Sequence, residues 1–271
     1  MGKETRGPGG PKRAMAVLWL TWGLGAAAPA VAQGISTPTA PRLTTAEGGQ
    51  VPARKWPTGE ADRAWVLVFH QGATSGPAEY GPIAPRVHAL GFDVLVIDQR
   101  RGGDLFGGAN DVAARFDAER TSYCDALPEL EAALDHARSA APGRRAILWG
   151  SSYSAALVVQ LAARRAEDVA GVLAFSPASG ESMDGCRPEA YLDRVEAPIL
   201  AVRPASEMAH EWIAEQLERF RAVGHRTLVT DPGRHGSSTL VEERVGAATD
   251  DAWAVVGEFL AGLTTDSPGR R

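Results

Sequence analysis

Six short apolar runs recur along the chain: AWVLVFH (64–70), FDVLVID (92–98), RAILWG (145–150), VAGVLAF (169–175), APILAV (197–202) and RTLVT (226–230). Each is rich in Val, Ile and Leu, lacks strict alternation and stops at turn residues. That is the pattern of strands buried on both faces of a parallel sheet. Stretches of helical period lie between them. Residues 126–138 (ALPELEAALDHAR) place Leu127, Leu130, Ala133, Leu134 and Ala137 along one face. Helices are also predicted over 153–165, 210–223 and 251–263. A further one is predicted over 80–90, with Pro82 in its first turn and Pro85 as a break or distortion. Strand and helix alternate without an internal repeat or an interrupting linker. The expected fold is therefore α/β: one domain over residues 63–265, with a mostly parallel sheet and helices on both faces. Residues 33–62, rich in Thr, Pro and Gly, read as a tail followed by irregular strands.

The first 32 residues follow another pattern. Lys3, Arg6, Lys12 and Arg13 precede an apolar run from Ala14 to Ala32, which ends in Ala30-Val31-Ala32. A basic lead, an apolar stretch and a small-x-small ending make a secretory signal peptide, cleaved after Ala32. The alternative is an uncleaved N-terminal membrane anchor, since the run approaches the ~20 residues that span a bilayer. Export, to a periplasm or beyond the cell, is the expected localisation, with no stable span after cleavage. Cleavage removes a net +3 from a formal charge of -5 and leaves -8. An acidic chain without a basic stripe gives no electrostatic reason to expect nucleic acid as a partner. An exported protein with only two cysteines, Cys124 and Cys186, is a candidate for one disulfide. The sequence contains neither Cys-x-x-Cys nor His-Glu-x-x-His, so no metal site is expected.

In a parallel α/β sheet, chemistry belongs on the loops at the carboxyl ends of the strands. After RAILW comes Gly150-Ser151-Ser152-Tyr153-Ser154, leading into an apolar helix. A serine presented on a strained strand-to-helix turn needs small residues two places to either side, and Gly150 and Ser154 meet that demand around Ser152. Framing the turn on Ser151 would put Trp149 in the tight position. A serine hydroxyl also needs a base, and His235 in the loop RTLVTDPGRHGSS is the candidate, flanked by Gly233 and Gly236. The carboxylate that would hold the imidazolium is expected after APILAV, where Glu207 stands; Asp184 after VAGVLAF is its rival. Donors for a developing oxyanion are expected from the N–H of Tyr153 and from Gln71 or Gly72 in the loop after the first core strand.

The order of strand with HQG loop, strand with DQRRGG, GSSYS elbow, acid, then GRHGSS resembles the α/β-hydrolase superfamily, on its esterase and dienelactone-hydrolase-like side. The resemblance covers roughly residues 64–263. It implies an eight-stranded, mostly parallel sheet, no organic cofactor, and a structural role for Asp98. It also implies a serine hydrolase that cleaves a small-molecule ester through an acyl-enzyme. Two other readings stay open: a peptidase or thioesterase on the same fold, and a non-catalytic binding protein that has kept it. Only residues 176–196 separate VAGVLAF from APILAV, too few for a large lid domain. The segment 103–123, with Phe106 and Phe116, is the other stretch that could roof a pocket.

Overall fold

Eight strands form one sheet in the order β1-β2-β4-β3-β5-β6-β7-β8. They are β1 (Arg42–Thr44), β2 (Gln50–Trp56), β3 (Trp65–Phe69), β4 (Asp93–Ile97), β5 (Ala146–Ser151), β6 (Val169–Phe175), β7 (Ile199–Pro204) and β8 (Arg226–Thr230). β2 runs antiparallel to both its neighbours, and every other pairing is parallel. The computed structural model describes residues 37–59 and 63–265, which fall within one compact unit, Ile35–Arg271. The expected leader and its cleavage point lie outside the described residues. No described helix is long and apolar enough to cross a membrane.

The central strands bury both faces, as their unbroken Val, Ile and Leu runs require. Leu67, Phe69, Leu95, Ile97 and Leu148 point to one side. There they meet α3 (Leu127–Ala140), α4 (Tyr153–Arg164) and α5 (Glu211–Ala222). Val66, Val68, Val94, Val96 and Trp149 point to the other, against α1 (Gly76–Tyr80), α2 (Ala84–Ala89) and α7 (Asp250–Thr265). Each fully buried apolar side chain stabilises by about 1.5–3 kcal/mol, so two such layers fix the sheet rigidly under its loops. A four-residue α6 (Glu242–Val245) completes the set.

The predicted helix over 80–90 is instead two short helices, α1 and α2. Gly76 and Pro77 open the first behind the N-cap Ser75, whose Oγ accepts from Ala78 N. Pro85 sits in the first turn of the second, where its missing N–H costs nothing. Pro85 thus begins a helix rather than distorting one.

The segment between β6 and β7 holds three single 3₁₀ turns, Glu181–Met183, Pro188–Ala190 and Leu192–Arg194, and no lid domain. A Cys124–Cys186 disulfide, with Cα atoms 5.7 Å apart, ties this segment to the turn that precedes α3.

Candidate active site

β5 passes into α4 through Ser152 alone, at φ 61° and ψ -119°. Backbone strain of this kind costs about 1–3 kcal/mol and persists only where the surroundings impose it. Here they do. Ser152 N donates to Phe175 O at 2.8 Å, and its carbonyl accepts from Ala155 N and Ala178 N. A Cβ on Gly150 would fall 2.4 Å from the Ser154 carbonyl oxygen, so the turn closes only on glycine. Ser152 Oγ has no hydrogen-bond partner among the described residues.

Ser154 stands where the elbow pattern commonly has glycine, and its buried hydroxyl has a use. It donates to His70 O at 2.5 Å and accepts from Gln99 Nε2 at 2.8 Å. Gln99 Oε1 in turn accepts His70 N, and Gln99 N donates to His70 Nε2. Asn110 closes the network on Gln99 O and His70 Nε2. Burial lowers the His70 pKa to about 4, against the raising effect of its bond to Gln71 O, so the ring is neutral. Nδ1 then carries the proton and donates to Gln71 O at 2.8 Å. In the sequence His70 only ends the first core strand, and the roles of Gln99 and Asn110 are not visible there.

The loops after β7 and β8 meet beside this elbow. His235 Nδ1 lies 2.6 Å from Glu207 Oε1. Ser176, itself at a left-handed φ of 49°, donates to the same oxygen at 3.0 Å and accepts from Gly236 N. Arg203 Nη1 holds Glu207 Oε2 at 2.6 Å. Burial alone would raise the Glu207 pKa, but the bonds from His235 and Arg203 outweigh it and hold the acid below its ordinary value. Gly236 packs so closely on the elbow that a Cβ there would meet Ser151 Oγ at 2.1 Å, and Ser237 N donates to that hydroxyl. The base loop is thereby locked to the residue before Ser152. No hydrogen bond joins Ser152 Oγ to His235 among the described residues. Asp184, the rival acid, is 73% exposed and paired with Arg187. Ser176 carries no local signal in the sequence, and Arg203 only its i, i+4 spacing to Glu207.

Of the expected oxyanion donors, Tyr153 N opens α4 and has no acceptor among the described residues, and neither has Gly72 N. Gln71 is a correction. Its N–H is turned inward and donates to the buried carboxylate of Glu79 at 2.7 Å, which takes it out of the set. Tyr123 packs on Gly72 and against the Tyr153 ring, with centroids 4.8 Å apart, and Arg101 covers its other face. Asp98 holds Gly76 N at 2.8 Å, a structural contact; burial lifts its pKa to about 6.

The site is open. His235 is 48% exposed, and neither Phe106 nor Phe116 closes over it: Phe106 stacks on Arg244 and Phe116 on Arg100. A cleft of about 370 Å³ beneath the 100–118 loop, lined by Arg101, Gly103 and Asn110 among others, does not include Ser152, His235 or Glu207. Among the described residues no cluster of His, Cys, Asp or Glu could hold a metal ion.

Residues 60–241 match the family model described as serine aminopeptidase, S33. Among solved structures, an esterase of Pyrococcus furiosus is similar with a TM-score of 0.64 at 18% identity, over 86% of this chain and 92% of that one. A putative dienelactone hydrolase of Klebsiella pneumoniae is similar with a TM-score of 0.63 at 15% identity, over 83% and 99%. An acylaminoacyl peptidase of Pyrococcus horikoshii is similar with a TM-score of 0.63 at 13% identity, over 88% of this chain and 44% of that one. No curated protein sequence matches the chain.

Proposed function

The chain belongs to the serine aminopeptidase S33 family of α/β hydrolases, and on that premise we propose that it is a serine hydrolase that cleaves small-molecule esters. Ser152 is the nucleophile, His235 the base and Glu207 the acid that orients it. The observation that carries this reading is the 2.6 Å contact between His235 Nδ1 and Glu207 Oε1. With the proton on Nδ1, directed at an ionised Glu207, Nε2 is left with a lone pair to receive the Ser152 proton.

Ser152 Oγ then bonds to the acyl carbon, and the carbonyl electrons move onto oxygen, which the N–H groups of Tyr153 and Gly72 stabilise. A single donor of this kind is worth about 3 kcal/mol in the barrier. The tetrahedral species collapses as His235 passes its proton to the leaving alkoxide, and an acyl-Ser152 ester remains. Water, activated by the same imidazole, repeats the sequence and releases the acid. The half-exposed histidine and the short β6–β7 segment suit small or extended acyl groups rather than long buried chains.

The family description favours one second reading, a peptidase. A panel with one acyl group offered as p-nitrophenyl ester, thioester and p-nitroanilide separates them. The ester reading predicts that kcat/KM for the ester exceeds that for the anilide by more than the difference in intrinsic reactivity. A preference for the anilide or for free N-terminal peptides would assign a peptidase.

A further inference from the structure

Glu79 is wholly buried in α1 and takes no part in the chemistry proposed above. Enclosing a carboxylate without a direct cationic partner is costly, and such groups persist where they hold something in place. The nearest guanidinium, Arg244, spends its hydrogen bonds on the carbonyls of Ala78 and Glu79 and on Ser238 rather than on the Glu79 carboxylate. Three loops converge on that carboxylate instead. Oε2 accepts Gln71 N from the loop after β3, and Gln71 Nε2 lies 3.4 Å from Oε1. The Ser151 hydroxyl of the elbow faces it. A Cβ placed on Gly236, next to His235, would lie 3.6 Å from Oε1.

The consequence for the oxyanion donors follows from peptide planarity. In a trans peptide the C=O and N–H point in opposite directions. The peptide joining Gln71 to Gly72 has its carbonyl held by His70 Nδ1, so its N–H, that of Gly72, points the other way. The preceding peptide has its N–H held by Glu79. Two successive peptides are thus pinned, one by His70 and one by Glu79.

We propose that Glu79 is a positioning residue that fixes the oxyanion loop, turning Gln71 N–H inward so that Gly72 N–H is the donor presented beside Ser152. This rests on the serine-hydrolase reading. An amide at position 79 would replace one acceptor oxygen by an NH₂ facing the donors of Gln71, weakening the hold on the loop and freeing it to turn.

The test compares wild type, Glu79→Gln and Glu79→Asp with a matched ester and an alkyl boronic acid, which forms a tetrahedral adduct on serine. For Glu79→Gln, kcat should fall about 10–100-fold and boronate affinity should weaken in parallel. KM should stay within about threefold, since ground-state binding does not use the donor. Glu79→Asp, which keeps a carboxyl group but is one methylene short, should recover part of the loss. A Glu79→Gln protein with kcat near wild type overturns the proposal. So does a loss accounted for by a smaller folded fraction, with boronate affinity per folded molecule unchanged. If Glu79→Gln does not fold, amide NMR of the wild type decides. On adduct formation the Gly72 and Tyr153 amide resonances should shift strongly and that of Gln71 should not, and the reverse for Gly72 and Gln71 overturns the proposal. Wild type that neither binds boronate nor hydrolyses esters overturns the serine-hydrolase reading and this one with it. Active wild type with an indifferent Glu79→Gln overturns this one alone.

Discussion

Three side-chain donors, from His235, Ser176 and Arg203, converge on the single carboxylate of Glu207. Their sum keeps the acid ionised and aims the imidazole, which is the task a triad acid has to perform. Glu207→Gln should therefore keep the fold but lower kcat about 10³–10⁴-fold, because an amide lets the imidazole adopt the wrong tautomer; stopped-flow or steady-state ester hydrolysis beside circular dichroism checks it. Because burial is outweighed and the folded pKa lies below the ordinary 4.5, the stability that Glu207 contributes is present above that value. It is lost as the pH falls through the depressed one. Acid, not alkali, releases this residue. The placement of Ser152, His235 and Glu207 on loops at the carboxyl ends of strands was legible in the sequence, because each follows a strand whose apolar run marks where its loop begins. Gln99 and Ser176 were not legible, because each acts through partners far away in sequence; Glu79 and Arg203 have partners nearby, Gln71 and Glu207, but nothing local shows that the fold turns them inward. Gln71 misled because its position fits an oxyanion loop, and only the fold shows that Glu79 takes its N–H.

At the scale of elements, α3 and the β6–β7 segment each carry a checkable consequence. Glu129, in the first turn of α3, pairs with Arg100 at 2.7 Å, yet its Oε2 is buried without a partner. Burial outweighs Arg100 and raises its pKa from 4.5 to about 7. The folded state thus holds a proton that the unfolded chain releases, so Glu129 favours folding below pH ~4.5 and that contribution is lost as the pH rises through ~7. Glu129→Gln should show a smaller decrease in Tm between pH 5 and pH 8 than wild type; parallel Tm curves would contradict this. The Cys124–Cys186 bond closes a loop of 62 residues, worth about 4 kcal/mol in the chain-entropy model. Replacing both cysteines by serine should lower Tm accordingly, and should disturb activity less than stability, since neither residue contacts the triad side chains. The strands were readable to within one or two residues because parallel strands carry unbroken apolar runs. The α1 and α2 pair was misread as one helix because a proline that breaks a helix interior is equally suited to a helix start. Nothing local distinguishes the two.

For the molecule as a whole, the sheet acts as a platform that delivers six loops to one edge. Gln71 and Gly72 follow β3, Gln99 follows β4, Ser152 follows β5, Ser176 follows β6, and Glu207 and His235 follow β7 and β8. Two buried apolar layers hold the strands, so the relative positions of these loops are set by packing rather than by the loops themselves. The disulfide is compatible with the exported state that the leader sequence leads one to expect. What the architecture leaves open is access: with no lid domain between β6 and β7 and a half-exposed His235, a bulky electrophile should reach Ser152 directly. The central claim is that Ser152 is that nucleophile, and reaction with a fluorophosphonate followed by mass spectrometry of the modified peptide tests it without knowledge of the substrate. The account predicts one equivalent of adduct on Ser152, with labelling and ester hydrolysis both abolished in Ser152→Ala. An adduct on Ser151, or a Ser152→Ala protein that still hydrolyses esters at the wild-type rate, would contradict it.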